Sequence, residues 1–466
     1  MHRLSGADAG FLYLELPSQP MHSVSLLLLQ PEAADSPPVT LDDIRRHLLA
    51  ALPAVPCLRW RLKNVPLGLH HPVVYVDPEF DIDRHLVTIT LLPPGDPEEL
   101  DACVASLAET CLDRSKPLWQ VTLIEGLEDG RQALAVQMHH CLMDGAALLA
   151  AFGLVCSGEP APGGALEPAD REPGAVRLVA GAFAHNLMGL IRLPGLLARS
   201  VRGARAVNAR KRASMVPVPA PVADSPVSSV NAGSGPGRHL ARTTLPLPDI
   251  RLVKETAGVT VNDVAIALCG GALRSYLEAK GDLPSRPLVA GVPVGIDLPG
   301  AGPRTSGNQW AILATTTGTE IADPWQRLEC VASVTAEAKT QLALFGRSLL
   351  QEWLEYFPAW MSITAVRQQQ IKLARRPEKV GCNVTVSNLR GPTQAWCLGP
   401  AVVDEFYVTG PPSNRLGVVF VLIDEGEHLA FSILSVAGSV DDPETLAAGL
   451  HGALRDLVKA AEARAA

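Results

Sequence analysis

The chain has 466 residues, enough for two or three domains with large hydrophobic cores. Hydrophobic residues make up 47% and charged residues 19% of the sequence, which excludes disorder of the whole chain. The 48 acidic residues outnumber the 40 Lys and Arg, so the formal net charge is −8 and no global basic field favours nucleic acid. A polyanionic ligand would have to be bound by local basic groups.

Cysteine usage and the apolar stretches indicate the compartment. Nine cysteines are scattered from Cys57 to Cys397 without a C-x-x-C pair, which indicates neither a disulfide scaffold nor a zinc knuckle. The polar start, Met1–Asp8, lacks the apolar core of a signal peptide. The nearly apolar stretch Leu178–Ile191 is shorter than the roughly 20 residues that span a bilayer. We therefore expect a cytoplasmic protein with no transmembrane helix, and association with a membrane surface stays open.

The first block, residues 1–156, mixes predicted helices and strands. Thr40–Asp43 is a capping-box start followed by apolar residues at helical spacing. Pro97–Leu112 is a second predicted helix. Trp119–Ile124 and Gln132–Met138 are predicted strands, joined by a turn with Asp-Gly at its tip.

A segment of different composition, residues 157–237, follows. Its ends, Ser157–Gly174 and Ala213–Gly237, are rich in Pro, Gly and Ser or acid and predict linkers or long loops. Between them, Ala175–Arg212 is a predicted helix that mixes Leu, Ile and Phe with basic residues. These are Arg177, Arg192, Arg199, Arg202, Arg205, Arg210, Lys211 and Arg212. Such a helix lies in a membrane surface or packs as a solvated helix across both blocks, and the sequence favours neither.

The second block, residues 238–466, also mixes predicted helices and strands. Thr260–Asp263 caps a long predicted helix that ends at Gly281. The predicted strands are Leu288–Val294, Gln309–Thr317, Asn383–Ser387, Val402–Val408, Leu416–Ile423 and Leu429–Ala437. Interleaved helices and strands in both blocks predict an α/β or α+β pair of domains.

The strongest chemical signal is the segment Gln137–Gly145, which reads QMHHCLMDG. Neighbouring strand residues point to opposite faces, so only one of His139 and His140 can enter a shared cleft. A neutral imidazole is a suitable general base near pH 7. Asp144 and Gly145 predict a tight turn into a helix, where the carboxylate can anchor the strand end through a buried ion pair.

Other chemistries fit this segment less well. A metal site at His139, His140 and Asp144 is disfavoured because adjacent strand residues diverge and no further His or Cys has suitable spacing. Cys141 has apolar neighbours, which indicates a buried and inert thiol. The chain has no G-x-S-x-G elbow, so direct transfer is favoured over a covalent acyl-enzyme. An arbitrary His-His pair is more often structural, and the Asp-Gly at fixed spacing is what favours catalysis.

At these residues the sequence resembles the bacterial wax ester synthase/acyl-CoA:diacylglycerol acyltransferases, within the coenzyme-A-dependent acyltransferase superfamily. The family motif HHxxxDG matches in full at His139, His140, Asp144 and Gly145. Further matches span nearly the whole chain: Leu4–Leu12, Pro20–His22, Pro117–Trp119, Val261–Asp263, Gly307–Asn308 and Asn383–Asn388. HHxxxDG is shared with peptide-synthetase condensation domains, whereas the other matches specify the lipid-forming branch.

The resemblance implies an architecture. It implies an α/β (α+β) fold of two chloramphenicol-acetyltransferase-like domains with a central channel. These are an N-terminal domain with the motif, residues 1–156, and a C-terminal domain, residues 238–466, joined by the linker 157–237 with its basic amphipathic helix. The implied partners are acyl-CoA as co-substrate and diacylglycerol or a fatty alcohol as acceptor, with no metal and no redox cofactor. A peripheral site at the inner membrane or a lipid droplet stays open.

The resemblance also assigns roles. It implies that His140 is the general base that deprotonates the acceptor alcohol, while His139, Asp144 and Gly145 support the motif. Asn262 is a candidate for oxyanion stabilisation. Asp263 stands where an acid caps a helix, so a structural role is favoured for it.

Two departures and two alternatives qualify this interpretation. Where relatives show Pro-Val-Ser-x-Arg, the chain has Pro293–Asp297, which replaces a cation by an anion. Leu389–Arg390 replaces the commoner apolar-proline pair. One alternative is a non-catalytic lipid-binding or surface-coating protein on the same fold. The other is a condensation-type transferase that uses a carrier-protein thioester.

Overall fold

The computed structural model describes residues 1–33, 35–157, 165–220, 225–231, 235–297, 300, 302–375, 380–392, 394–412 and 415–465. The helices are α1 Gly6–Leu14, α2 Leu41–Ala51, α3 Pro97–Glu109, α4 Gly145–Val155, α5 Ala175–Ala213, α6 Leu247–Ala257, α7 Val261–Ala279, α8 Pro324–Phe345, α9 Leu349–Leu354, α10 Ala359–Arg375 and α11 Glu444–Ala465. The strands are β1 His2–Arg3, β2 His22–Pro31, β3 Trp60–Lys63, β4 Val73–Val76, β5 Leu86–Thr90, β6 Trp119–Glu125, β7 Gln132–His139, β8 Arg238–Pro246, β9 Val289–Gly295, β10 Trp310–Thr316, β11 Val384–Leu389, β12 Cys397–Leu398, β13 Ala401–Val408, β14 Val418–Glu425 and β15 His428–Val436.

Two mixed six-stranded sheets organise the described part of the chain. The first has the order β12-β13-β2-β7-β6-β5 and the second has the order β10-β9-β11-β14-β15-β8. Most neighbours are antiparallel, whereas β5–β6, β9–β11 and β11–β14 are parallel pairs. A small sheet, β1-β4-β3, is separate from both. This arrangement confirms the predicted α/β (α+β) fold class with two sheet-rich domains.

The second half of the chain contributes two strands to the first sheet. After β11 in the second sheet, the chain forms β12 and β13 in the first sheet and then returns to β14 in the second. Strand β13 pairs antiparallel with β2, from Ala401 opposite Pro31 to Val408 opposite Ser25. The division into 1–156, 157–237 and 238–466 stays a prediction, and the topology adds that the last segment supplies two strands of the first sheet.

Apolar packing joins these elements into cores. Trp119 is fully buried in the first core, where its indole Nε1 donates to the carbonyl of Leu58 at 2.7 Å and its ring stacks on His85. The second core packs α6, α7 and α11 against the second sheet. A third cluster joins the two sheets, with Leu26 of β2 and Leu240 of β8 among its members. Burial of apolar area at about 25 cal/mol per Å² is the main driving force for this packing.

The predicted helix starts have the expected local chemistry. The hydroxyl groups of Thr40 and Thr260 each accept a hydrogen bond from the backbone N–H of the Asp three residues later. The side chain of that Asp accepts the backbone N–H of the Thr, so both helix starts have a capping box. Ser5 and Asp8 close a third box at the start of α1. This last box brings Asp8 to the first turn of the helix that lies over the motif.

Helix α5 continues through Pro194 as one element of 39 residues. By length and composition it could cross a membrane, and the bent pair of α6 and α7 is a second candidate among the described helices. Length and composition alone do not overturn the prediction that the chain has no transmembrane helix. The contacts of α5 hold it along the body of the protein. Asn186 donates to the carbonyl of Leu69 at 3.2 Å, Ser200 accepts from the indole of Trp353 at 2.9 Å, and Arg210 binds Glu337 at 2.6 Å. The flanking linkers Ser157–Gly174 and Ala213–Gly237 lie partly outside the described residues.

Candidate active site

The two motif histidines stand at the end of a central strand of the first sheet. His139 is the last residue of β7, and the helix α4 begins at Gly145. The imidazole of His139 is 1% exposed, whereas that of His140 is partly exposed. The backbone N–H of His140 donates to the carbonyl of Met21 at 2.9 Å, which extends the β2–β7 pairing to this residue.

His139 is part of a buried ion-pair network. The backbone N–H of Cys141 donates to His139 Nδ1 at 3.1 Å, so the imidazole proton lies on Nε2 and is donated to Glu15 at 3.1 Å. Glu15 also binds Arg114 at 2.7 Å. Burial acts to raise the pKa of Glu15, but the hydrogen bonds from His139 and Arg114 and the charge of Arg114 lower it to about 2. Both nitrogens of His139 are therefore occupied.

His140 is oriented by an amide from the second half of the chain. Asn308 donates through Nδ2 to Asp8 at 2.8 Å and to the carbonyl of His140 at 2.6 Å. Its Oδ1 therefore faces His140 Nδ1 at 3.2 Å and also accepts from the indole of Trp310 at 3.3 Å. Because an amide oxygen only accepts, the proton of His140 lies on Nδ1 and Nε2 carries the free lone pair.

The surroundings of His140 favour the neutral base. The ring of Phe11 stacks on the imidazole with centroids 4.3 Å apart and planes 12° apart. Burial lowers the pKa of His140, and the charge of Asp144 and the hydrogen bond to Asn308 oppose this only in part. The imidazole is therefore unprotonated at neutral pH.

Asp144 connects the motif loop to residues 304–309. Its Oδ1 caps α4 by accepting the Ala147 N–H at 3.1 Å. Its Oδ2 accepts the Gln309 N–H at 2.9 Å and forms an ion pair with Arg304. The backbone of Gly307 joins the same loop, where its N–H donates to the carbonyl of Leu142 at 2.6 Å. Arg304 is the partner of the buried ion pair that the sequence indicated for Asp144.

The same arginine explains the departure at Asp297. Arg304 donates through Nε to Asp297 at 2.7 Å and through Nη1 to the carbonyl of Gly307 at 2.6 Å. Asp297 therefore binds Arg304, and Arg304 is the cation that contacts Asp144 of the motif. Sequence reasoning missed Arg304 and Glu15 because no spacing rule connects them to the histidines. It noted Gly307–Asn308 only as a family match.

Gly145 and the candidate oxyanion residues have different surroundings. A Cβ at position 145 would lie 2.5 Å from a methyl group of Leu389, so a larger residue there would displace that side chain. Asp263 accepts from the N–H and the hydroxyl of Thr260 at 3.0 and 2.6 Å, which is a capping role. Within the described ranges, no hydrogen bond or ion pair joins Asn262 or Asp263 to His140. The role of Asn262 stays a prediction.

A cavity of about 630 Å³ reaches Glu15, the partner of His139, although neither motif histidine lines it. Leu12 of α1 and Glu15, which follows that helix, form one wall, and Ala359, Ile363 and Arg367 of α10 form another. The cavity reaches the carboxylate that binds His139 and is large enough for a substrate. In the part of the chain that the structure describes, no cluster of three His, Cys, Asp or Glu side chains is arranged to hold a metal ion.

Solved structures of the same architecture identify the fold. The wax ester synthase/diacylglycerol acyltransferase from Marinobacter aquaeolei VT8 aligns with a TM-score of 0.67 at 24% identity, covering 99% of this chain and 100% of that one. The starter condensation domain of rhizomide synthetase RzmA, solved in complex with C8-CoA and Leu-SNAC, aligns with a TM-score of 0.56 at 13% identity, covering 99% and 94%. The chain therefore has the fold that these two solved proteins share.

Family models specify the branch. The wax ester synthase/diacylglycerol acyltransferase catalytic domain matches residues 4–265, and the WS/DGAT C-terminal domain matches residues 306–458. A Mycobacterium tuberculosis (strain ATCC 25618 / H37Rv) protein, provisionally named a diacylglycerol O-acyltransferase, is 32% identical over 99% of this chain and 91% of its own length. The chain belongs to the wax ester synthase/diacylglycerol acyltransferase family, which confirms the resemblance seen in its sequence.

The Arg304–Asp144 pair yields a prediction on stability. The Asp144 side chain is only 9% exposed, so Arg304→Met leaves a buried carboxylate without its cation. We expect the free energy of unfolding to fall by about 3–5 kcal/mol, measured by urea unfolding followed by circular dichroism. Asp297→Asn is the control, because that carboxylate is 39% exposed and its loss is expected to cost less than about 1 kcal/mol. Equal losses in the two variants would contradict this assignment.

The lowered pKa of His140 yields a prediction on pH dependence. The base is active when neutral, and burial lets the neutral form persist to lower pH than in an exposed histidine. In a profile of kcat/KM for ester formation, we expect the acid limb below the ordinary histidine value of about 6.5. An acid limb above that value would show that His140 is not the neutral base.

Asn308 yields a third prediction. Asn308→Ala removes the acceptor that holds the proton on His140 Nδ1, so we expect kcat to fall by about 10–100-fold. Its hydrogen bond raises the pKa of His140, so the acid limb should also move to lower pH. Gln309→Ala is the matched control, because Gln309 contacts Asp144 through its backbone N–H. A variant with parental kcat and an unmoved limb would exclude a positioning role for Asn308.

Proposed function

We propose that the protein is an O-acyltransferase that moves a long-chain acyl group from acyl-CoA to a lipid alcohol. With diacylglycerol as acceptor the product is triacylglycerol, and with a fatty alcohol it is a wax ester. The observation that carries this proposal is the arrangement at His140, where Asn308 holds the proton on Nδ1 and leaves Nε2 free. A single oriented base fits transfer to an alcohol, and the family match supplies the lipid context.

The reaction follows from this geometry. His140 Nε2 accepts the hydroxyl proton as the acceptor oxygen attacks the thioester carbonyl carbon, which forms a tetrahedral oxyanion. The C–S bond then breaks, and the imidazolium returns the proton to the departing sulfur. The products are an ester and free CoA thiol, so protons and electrons balance without a cofactor. Thioesters are already activated, so positioning and one base supply much of the acceleration.

The choice of acyl-CoA as donor is supported by a solved structure of the same fold. A starter condensation domain of the same fold is solved with C8-CoA bound. The fold therefore accommodates a CoA thioester in that protein, and we extend this to the present chain. The CoA phosphates would be bound by local Arg and Lys or by helix N-termini, because the net charge of −8 is unfavourable for a polyanion. We place the protein in the cytoplasm, peripheral to a membrane or lipid droplet.

Two other functions make different predictions. A lipid-binding protein that coats a surface without catalysis has no need for an oriented base, and the Asn308–His140 hydrogen bond argues against it. A condensation-type transferase would move an acyl group from a carrier-protein thioester to an amine or sugar hydroxyl, so it would release no CoA thiol from palmitoyl-CoA with diacylglycerol or hexadecanol. CoA release with these acceptors therefore separates the proposed function from both alternatives.

The test is an acceptor panel with purified protein. Release of free CoA from palmitoyl-CoA, followed with a thiol reagent, is expected in the presence of diacylglycerol or hexadecanol. His140→Ala is expected to lower this rate by roughly 10²–10⁴-fold without changing the urea midpoint. His428→Ala, at an exposed position of β15, is the control and should keep the parental rate. Absence of release with both acceptors, or full activity of the folded His140→Ala variant, would overturn the proposal.

A further inference from the structure

Helices α5 and α10 carry an unusual set of side chains for an acidic protein. The chain has 48 acidic residues, yet neither Ala175–Ala213 nor Ala359–Arg375 contains Asp or Glu. Both helices contain several Arg or Lys residues and many apolar ones. These two helices therefore carry a local positive charge, although the molecule as a whole is negatively charged.

Large apolar side chains stand in solvent on one face of α5. Phe183, Leu187, Leu190 and Ile191 recur at helical spacing and are 62–69% exposed. We call these residues, together with Leu67 and Trp360, the apolar ridge. Contiguous exposed apolar surface of this kind marks an interaction site in a water-soluble structure.

The members of the apolar ridge belong together in space. Asn186, within the α5 run, donates to the carbonyl of Leu69, and the backbone of Gly68 lies against Trp360. Gly189 packs against the ring of Tyr356, close to the start of α10. These contacts place α5, the 67–69 turn and the beginning of α10 next to one another, so the ridge side chains stand on neighbouring segments.

Leu67 is the most unusual member of the apolar ridge. Its φ is 56°, in the left-handed region that a residue with a Cβ rarely adopts, and its side chain is 86% exposed. A leucine held in this conformation contributes almost nothing to the protein's own core. An external apolar partner would use the side chain that this turn presents.

The cations near the ridge are available for a ligand. Arg199 and Arg210 are bound to Glu352 and Glu337, so their charges are neutralised within the protein. No ion pair is seen for Arg192, Arg202 and Arg205 with any described side chain. All three stand on α5 at or beyond the C-terminal end of the ridge. An apolar surface flanked by such cations is the pattern of a helix that lies in the interface of an anionic membrane.

We propose that the apolar ridge and Arg192, Arg202 and Arg205 dock the protein on an anionic phospholipid membrane, from which the lipid acceptor enters the 630 Å³ cavity. This inference rests on the proposed function for the identity of the acceptor. Trp360 of α10 belongs to the ridge, whereas Ala359 and Ile363 of the same helix line the cavity. One helix thus carries both a ridge residue and residues of the cavity wall, and the cavity extends to Glu15, which binds His139.

The contacts of α5 favour docking over spanning. The helix is bonded to the body near its beginning, middle and end, through Asn186, Ser200 and Arg210. Insertion across a bilayer would break all three contacts and would bury the unpaired arginines in hydrocarbon. A helix that stays in place and rests on the surface keeps the contacts and places its arginines among the headgroups.

The first experiment measures docking by vesicle flotation. The parent is expected to float with vesicles of phosphatidylcholine and phosphatidylglycerol and to float far less with phosphatidylcholine alone. Leu190→Glu/Ile191→Glu and Arg192→Glu/Arg202→Glu/Arg205→Glu should each lower the floated fraction by about tenfold. Leu92→Glu is the matched control, because Leu92 is 79% exposed on the loop before α3. Parental flotation of either multiple variant would overturn the docking surface, and capture by a protein partner alone would do the same.

The second experiment measures entry of the acceptor. Leu190→Glu/Ile191→Glu should lose about tenfold in kcat/KM for diacylglycerol carried in anionic vesicles and keep the parental kcat/KM for hexanol in solution. Equal losses for both acceptors would overturn entry from the membrane. If the parent protein transfers acyl groups to neither acceptor, both the proposed function and the entry of the acceptor from the membrane are wrong. The flotation experiment still tests whether the protein docks on the membrane.

Discussion

The whole site depends on one contact between the halves of the chain, in which residues 304–309 close over the motif loop. Asn308 sets the proton on His140, and Arg304 neutralises the carboxylate that caps α4. Both residues come from the second half, whereas the histidines come from the first. His140 can act as a general base only if its tautomer is fixed. Asn308 fixes this tautomer, and Asp8 in turn fixes the orientation of the Asn308 amide.

The neighbouring histidines show how one short segment divides structure from chemistry. His139 points to a buried acid and has both nitrogens occupied, whereas His140 has one nitrogen free. Strand geometry requires this division, because the side chains of adjacent strand residues point to opposite faces of the sheet. Burial acts on both groups in different directions. It raises the pKa of Glu15, where the hydrogen bonds and the charge of Arg114 reverse the effect, and it lowers the pKa of His140, where Asp144 and Asn308 oppose it only in part.

Local chemistry was predictable from the sequence, and long-range pairing was not. The caps at Thr40 and Thr260 and the hairpin of β6 and β7 follow from periodicity and turn residues, and the structure confirms them. The partners of Asp144 and His139 lie 160 and 124 residues away, where no pattern in one sequence indicates a contact. The long exposed helix α5 was predicted in extent, but its contacts with the body were not.

The strand exchange between the sheets has a consequence for how the protein is made. Strand β2 is synthesised among the first residues, yet its neighbour β13 is formed only by Ala401–Val408. Until the ribosome has passed that point, one edge of the first sheet has no native partner and exposes unpaired backbone groups. The first half therefore cannot complete its own sheet during translation, whereas the second sheet consists of strands from residues 238–436 alone. Expression of residues 1–156 alone would leave this edge open permanently, so folding is a property of the nearly finished chain.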